Sequence, residues 1–162
     1  MTEIFPGRYT AQTDTPVVLF VIGMRINRLW DARKWWPVAT AMPRMLAELS
    51  RKPDCGFLSA RTYLSGRVIT TVQYWRGFEE LFAYAHDKDG AHFPAWAEFN
   101  RRIGGDGSVG IWHETYLVEP GKFECIYANM PLFGLAAATA HAKAEGRLAA
   151  AKDRLTAERP TG

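Results

Sequence analysis

Residues 57–75 read FLSARTYLSGRVITTVQYW, two β-branched and aromatic runs on either side of Ser65-Gly66. A two-residue turn signal between such runs predicts an antiparallel hairpin, because glycine accepts the positive φ that tight hairpin turns require. Outward from this hairpin the pattern is symmetrical. On the N-terminal side KPDCG (52–56) ends a helical region running from about Asp31 to Ser50. Val38, Met42, Met45, Leu46 and Leu49 form one apolar stripe on it at helical spacing. Pro37 suits a first turn, whereas Pro43 should kink or restart the helix. On the C-terminal side GFEELFAYAH (77–86) starts a second helix, DKDG (87–90) interrupts it, and Phe93-Pro94 reopens it until Gly104-Gly105.

Beyond the helices lie the outer strands. VVLFVIGMRIN (17–27) is apolar on both faces, with Val18, Phe20, Ile22, Met24 and Ile26 on one and Leu19, Val21, Gly23, Arg25 and Asn27 on the other. SVGIWHETYLV (108–118) and KFECIYANM (122–130) follow around Glu119-Pro120-Gly121. The order β–α–β–β–α–β is that of a ferredoxin-like, split βαβ α+β fold: one antiparallel sheet with both helices on one face, here with an extra C-terminal strand and helix. Residues 1–15 read as a polar N-terminal arm and 16–140 as the α/β domain. The alanine-rich stretch from Gly134 reads as a C-terminal helix, passing over 141–162 into a polar tail. A sheet covered on one face exposes aliphatic side chains on the other, which predicts a homodimer.

At 162 residues the chain fits one domain. The net charge of +3 is mild: it allows an anionic ligand or a membrane surface as partner and does not argue for nucleic acid, which is not expected as one. Cys55 and Cys125 are too few for a disulfide framework or a zinc cluster, so a reducing cytoplasm is expected. The N-terminus lacks a signal pattern, and the longest apolar run falls far short of the ~20 residues needed to span a bilayer. RINRLWDARKWWP (25–37) mixes Trp30, Trp35 and Trp36 with Arg28, Arg33 and Lys34, a composition suited to peripheral membrane contact, though the run is short and broken by Pro37. There is no phosphate loop, nucleophile elbow or dinucleotide fingerprint.

The chemical vocabulary concentrates between His86 and Tyr116, which hold three of the four histidines. His113 and Glu114 are strand neighbours and point to opposite faces, so they cannot chelate one ion. On the helix side His113 would share a partly apolar pocket with Val109, Ile111 and Thr115, suited to a neutral general base or ligand. Its bland alternative is a buried hydrogen bond. His92, just before Phe93-Pro94, is either a turn residue or projects into a cavity beneath the interrupted helix. His86 reads as structural at a helix C-terminus, and His141 as surface. Arg25 and Asn27 with Arg61 form a candidate clamp for an anion or carbonyl, or else structural ion pairs. Tyr63, Tyr74, Trp75, Trp96, Trp112 and Tyr116 are candidate walls of an apolar ligand site, although most such aromatics are core.

Two resemblances enter at these residues. The element order, with YWRGFEELFAYAHDKDGAHFPAW (74–96) after a strand, resembles the antibiotic-biosynthesis monooxygenase superfamily of dimeric α/β barrels. More specifically, GMRINRLW, AMPRML, GFLSARTYLSGR, QYWRGFEEL, HFPAWAEFNRRIG, GSVGIWHETY and YANMPLFGLA resemble the monooxygenase af470-like family over about residues 15–140. The resemblance implies a dimeric barrel with a cavity between sheet and helices, and oxidation of a hydrophobic or aromatic small molecule by dioxygen. Members of this wider fold work without a cofactor or hold haem, so the implied cofactor is none or haem. Haem-degrading members carry their iron ligand after the aromatic of the second helix, whereas His92 here precedes Phe93 and Trp96. From the residues themselves the candidate catalytic groups are His113, His92 and Arg25, and the candidate haem ligand is His92 or His113. Substrate would meet Asn27, Arg61, Tyr63, Trp96 and Trp112. The other two expectations are a haem protein with dehydratase- or peroxidase-like chemistry and a non-catalytic module that binds hydrophobic ligands or dimerises.

Overall fold

The central hairpin forms with its turn one residue later than the sequence suggests. In the computed structural model, which describes residues 3–90 and 92–156, β3 (Phe57–Ser65) and β4 (Val68–Trp75) are joined by Gly66-Arg67, with Ser65 paired to Val68. Gly66 has φ +57°, the left-handed conformation that glycine takes without a Cβ penalty. Preceding the hairpin are β2 (Val17–Ile26) and α1 (Ala32–Leu49). Pro43 sits inside α1 without ending it. Following the hairpin come α2 (Phe78–His86), α3 (His92–Arg102) and β5 (Val109–Val118).

These four strands form one antiparallel sheet in the order β3-β4-β2-β5, the ferredoxin-like arrangement. Register fixes which side chains share a face. Ile22 lies opposite both His113 and Thr71, and Thr71 opposite Thr62. Paired residues project to the same side. The helix-covered face therefore carries Val18, Phe20, Ile22, Met24 and Ile26 of β2, as their spacing predicts.

Two separate cores close that face. At one end Val18 and Trp75 pack with Leu49 of α1 and Leu81 and Tyr84 of α2. At the other Met24, Ile26 and Val109 pack with Ile103, Phe99 and the first turns of α1 through Trp35 and Val38. Trp75 is 0 % exposed.

The opposite face is not left bare, which corrects three expectations. Residues 1–15 are not an arm: β1 (Phe5–Gln12) is a strand, flanked by β6 (Tyr127–Met130) and β7 (Ala140–Lys143) in a second antiparallel sheet. The alanine-rich stretch from Gly134 is not a long helix either. Among its described residues only Gly134–Ala138 (α4) and Ala151–Thr156 (α5) are α-helical, because pairing with β1 overrides alanine's helix propensity over Ala140–Lys143. The strand expected over 122–130 is confined to Tyr127–Met130. Leu135 and Ala136 of α4 pack with Ala11, Val17 and Tyr74, so this second layer covers one end of the opposite face. The tail beyond 156 lies outside the described residues. Among the described residues no helix is long and apolar enough to cross a membrane.

Candidate active site

Phe20 and Ile22 occupy the middle of β2, an inner strand, on the side the helices cover. Both are only half-buried, although Val18, Met24 and Ile26 beside them on the same face are buried. The two cores thus close the ends of the sheet and leave a slot between them. α3 spans it: His92 at its start packs beside Tyr84 in the first core, and Phe99 near its end belongs to the second. Trp96, between them, stacks on Phe99 at 5.6 Å and is half-exposed. Along β5, an edge strand, His113, Thr115 and Leu117 are exposed on this face, so the slot opens at that edge.

The floor of the slot is polar in a way a plain core is not. Across one level of the sheet run His113, Ile22, Thr71 and Thr62, with the two threonine hydroxyls 3.0 Å apart. At the next level Gln73 is buried, accepts from Trp75 Nε1 at 2.9 Å and donates to Met42 Sδ at 3.5 Å. Met42 was read from the sequence only as part of the apolar stripe of α1, and Thr71 and Gln73 were not singled out. Their signal was legible in VITTVQYW, where alternate residues place a threonine and a glutamine beside Ile69 and Trp75 on one face.

His92 is the titratable group whose state the structure defines. Its Nδ1 lies 2.9 Å from the carbonyl oxygen of Ala85, in the last turn of α2. A carbonyl only accepts, so Nδ1 carries the proton and the Nε2 lone pair stays free in the neutral ring. Burial pushes the His92 pKa below the ordinary imidazole range and the nearby His86 pushes the same way, against the opposing effect of the Ala85 bond. His92 is therefore a neutral base with one defined basic nitrogen at pH 7. The bond also joins the end of α2 to the start of α3, satisfying a helix-terminal carbonyl. Tyr84, whose ring centroid is 6.2 Å from that of His92, has a buried hydroxyl without a hydrogen-bond partner among the described residues.

His113 faces the helices as the alternation predicts, with its ring 5.6 Å from Phe20. It shares the sheet face with His92's neighbours, but it is exposed rather than enclosed. The remaining candidates lie elsewhere. Arg25, Arg61, Tyr63 and Trp112 are on the opposite face of the sheet, so they do not join the histidines in one site. Arg25 Nη1 donates to Asn27 Oδ1, and Asn27 Nδ2 donates to the Gly107 carbonyl at 3.0 Å, which fastens the end of β2 to the loop before β5. Arg61 lies 4.3 Å over the Phe133 ring. Trp112 lies across Gly23, where an added Cβ would come within 2.6 Å of the indole. His86 Nδ1 donates to the Phe82 carbonyl and its ring stacks on that of Phe82, and His141 stacks on Tyr9 at 4.2 Å rather than sitting free on the surface. Among the described residues no three His, Cys, Asp or Glu side chains gather as a metal site.

Comparison with known proteins bears on this architecture. The sequence model of the monooxygenase af470-like family matches residues 17–135. A curated relative, monooxygenase af470 from Aspergillus fumigatus, is 26% identical over 157 residues, which cover 80% of this chain and 53% of that protein. The chain thus spans about half the length of that relative. Among solved structures, an aldoxime dehydratase in complex with butyraldoxime superposes with a TM-score of 0.58 at 16% identity, over 73% of this chain and 37% of that one. SnoaB, a cofactor-independent oxygenase from Streptomyces nogalater, superposes with a TM-score of 0.46 at 11% identity, over 63% of this chain and 92% of that one.

Proposed function

We propose that this chain, which belongs to the monooxygenase af470-like family, is an oxygenase-like enzyme that oxidises a hydrophobic or aromatic small molecule in the slot between the sheet and α3. The observation that carries this reading is His92: a neutral imidazole with its Nδ1 proton committed to Ala85 and its Nε2 lone pair free, beside an apolar slot with a polar floor. Such a base suits removal of a proton from a phenol, an enol or a methylene held between aromatic rings. The resulting carbanion is electron-rich enough to reduce dioxygen directly. In the balanced reaction a methylene becomes a carbonyl, one oxygen atom enters the substrate and the other leaves as water. The substrate supplies all four electrons. Phe20, Ile22 and Trp96 would hold the apolar rings and keep bulk water away from the carbanion, while His113 would meet the substrate oxygen.

The aromatic and aliphatic surface left on the opposite face, including Leu19, Val21, Val72, Trp112 and Tyr116, supports a homodimer formed through that face. Cys55 and Cys125 are free thiols, which suits a reducing, cytoplasmic setting.

His92 also favours a second reading, a haem protein of this fold. Metal-bound histidines commonly donate their other ring N–H to a backbone carbonyl, as His92 does to Ala85. Haem held there by Nε2 would supply redox or dehydratase chemistry at its iron. One preparation separates the readings. Oxygen uptake with an anthrone, matched by carbonyl product and lost in His92→Ala, supports the first. A Soret band on haemin titration that His92→Ala removes supports the second. Neither uptake nor a Soret band would leave a non-catalytic ligand-binding module.

A further inference from the structure

We propose that the end of the molecule where β2 finishes docks on an anionic lipid bilayer, with Trp30, Trp36 and Leu64 entering the headgroup region and four arginines contacting lipid phosphates. This inference is independent of the reaction proposed above.

The residues come from three segments that the fold brings to one end. The turn after β2 exposes Leu29 and leaves Trp30 80 % exposed. The start of α1 adds Trp36 at 61 %, set against Trp35 with ring centroids 5.8 Å apart, and Trp35 Nε1 donates to the Leu29 carbonyl at 3.0 Å. The tip of the β3–β4 hairpin adds Leu64 at 78 %. Leu64 pairs with Ile69, which pairs with Met24, and the Ile26 amide donates to Arg67 at 2.9 Å, so the hairpin tip and the end of β2 lie side by side. Folding normally buries side chains of this size. Four of them exposed together at one end mark a surface that meets something apolar.

Charge identifies what that surface meets. Arg25, Arg28, Arg33 and Arg67 stand in or beside the same segments, and none makes an ion pair among the described residues. The nearby carboxylates Asp31 and Asp106 are both taken by Lys34. A tryptophan-tipped apolar surface ringed by unpaired arginines complements a bilayer interface, where indoles favour the headgroup level and arginines the anionic phosphates. A second copy of the chain is a poor occupant, since a two-fold contact would oppose the same arginines to each other. The patch is built from loops and element ends held by backbone bonds, including Asn27 and Arg28 amides to the Ser108 carbonyl at 3.0 and 3.2 Å. It therefore presents its side chains without needing to refold.

The test is flotation of the full chain with vesicles of phosphatidylcholine alone and with about 30 % phosphatidylserine, the latter resembling an anionic cytoplasmic leaflet. Binding to the anionic vesicles is expected, weakened by salt as screening shortens its range. Arg28→Gln/Arg33→Gln should weaken it by about 5-fold per arginine, or about 25-fold. Trp30→Ser/Trp36→Ser should abolish it, while Phe78→Ser/Phe82→Ser on the exposed face of α2 should leave it unchanged. Far-UV circular dichroism and the melting temperature identify any variant that fails to fold, and Trp30→Ser alone, at the most exposed of these positions, then replaces the tryptophan pair. Absence of binding, equal binding to both vesicle types, or binding indifferent to both double variants would overturn the proposal. A lower solution mass for Trp30→Ser/Trp36→Ser would also overturn it, by showing that a second copy covers the patch.

Discussion

On the helix-covered face β2 supplies Val18, Phe20, Ile22, Met24 and Ile26, and on the other the same ten residues supply Val17, Leu19, Val21, Gly23 and Arg25. The helix-covered face ends in two tight cores with a half-open slot between them, floored by Thr71 and Gln73. The opposite face is covered at one end by a second sheet, and further along it Trp112 lies over Gly23. Polar groups are buried on the side with the slot, where burial costs free energy unless they are paired. The other side carries surface suited to packing and no comparable polar floor. The two faces thus divide the work: chemistry is expected on one and assembly on the other.

The largest expected effect tests the chemical side of that division. His92→Ala should lower turnover by about 10²–10⁴-fold, the usual cost of removing a positioned acid/base group. His92→Asn is the informative companion, since an amide can still donate to the Ala85 carbonyl but offers no basic Nε2. Steady-state kinetics on both, beside their melting temperatures, would refute the role of His92 if the asparagine variant turned over like the parent.

A tryptophan removed from each face sharpens the contrast. Trp75→Ala should cost about 3–5 kcal/mol in urea unfolding, because the ring is fully enclosed between the sheet and α2 and its removal leaves a cavity. Trp112→Ala should cost clearly less in the same experiment and instead shift the mass measured by light scattering toward a monomer. Equal destabilisation with unchanged mass would mean that the opposite face is ordinary core.

Glycines on one face provide a smaller effect with an internal control. Gly23→Ala should destabilise by about 1–3 kcal/mol, since its Cβ meets the Trp112 ring 2.6 Å away. Gly110, paired with Arg25 on the same face, has its nearest neighbour at 3.7 Å, so Gly110→Ala should fall within about 0.5 kcal/mol of the parent. Combining Gly23→Ala with Trp112→Ala should recover most of the loss. Its persistence would place the strain in the β2 backbone rather than at the indole.

Much of this division was legible in the sequence, since period-two alternation in residues 17–27 and 108–118 assigns each side chain its face. The ferredoxin-like order followed from the same pattern, and the family motifs lie along it. The second sheet was not legible. FPGRYTAQ carries Pro6 and Gly7 and no clean alternation, and its partners lie more than a hundred residues away among alanines that favour helix. The slot was legible only through the family resemblance, which implied a cavity between sheet and helices, and its floor of Thr71 and Gln73 was not read from any local run. Arg25, Arg61, Tyr63 and Trp112 were grouped with the histidines by residue type. Sheet parity separates them, and it could have been applied to β3 as it was to β2 and β5.

The smallest effect is electrostatic and belongs to the slot side alone. Burial holds the folded-state pKa of His92 below that of the unfolded chain, which is about 6.5 for an imidazole. Above that value the ring is neutral in both states and the native arrangement keeps its full stability. As pH falls below about 6.5 the unfolded chain takes up a proton that the folded chain resists, so stability declines until the pH passes the lower folded value. Each unit of difference corresponds to about 1.4 kcal/mol. The half-buried ring should stay well short of a fully buried one in this respect. Urea midpoints measured from pH 7.5 down to about 5 should therefore fall, and His92→Asn should flatten part of that slope. Slopes that coincide for parent and variant would show that His92 titrates alike in both states. The neutral base of the proposed mechanism would then lose its electrostatic support, while the hydrogen bond to Ala85 would keep its structural one.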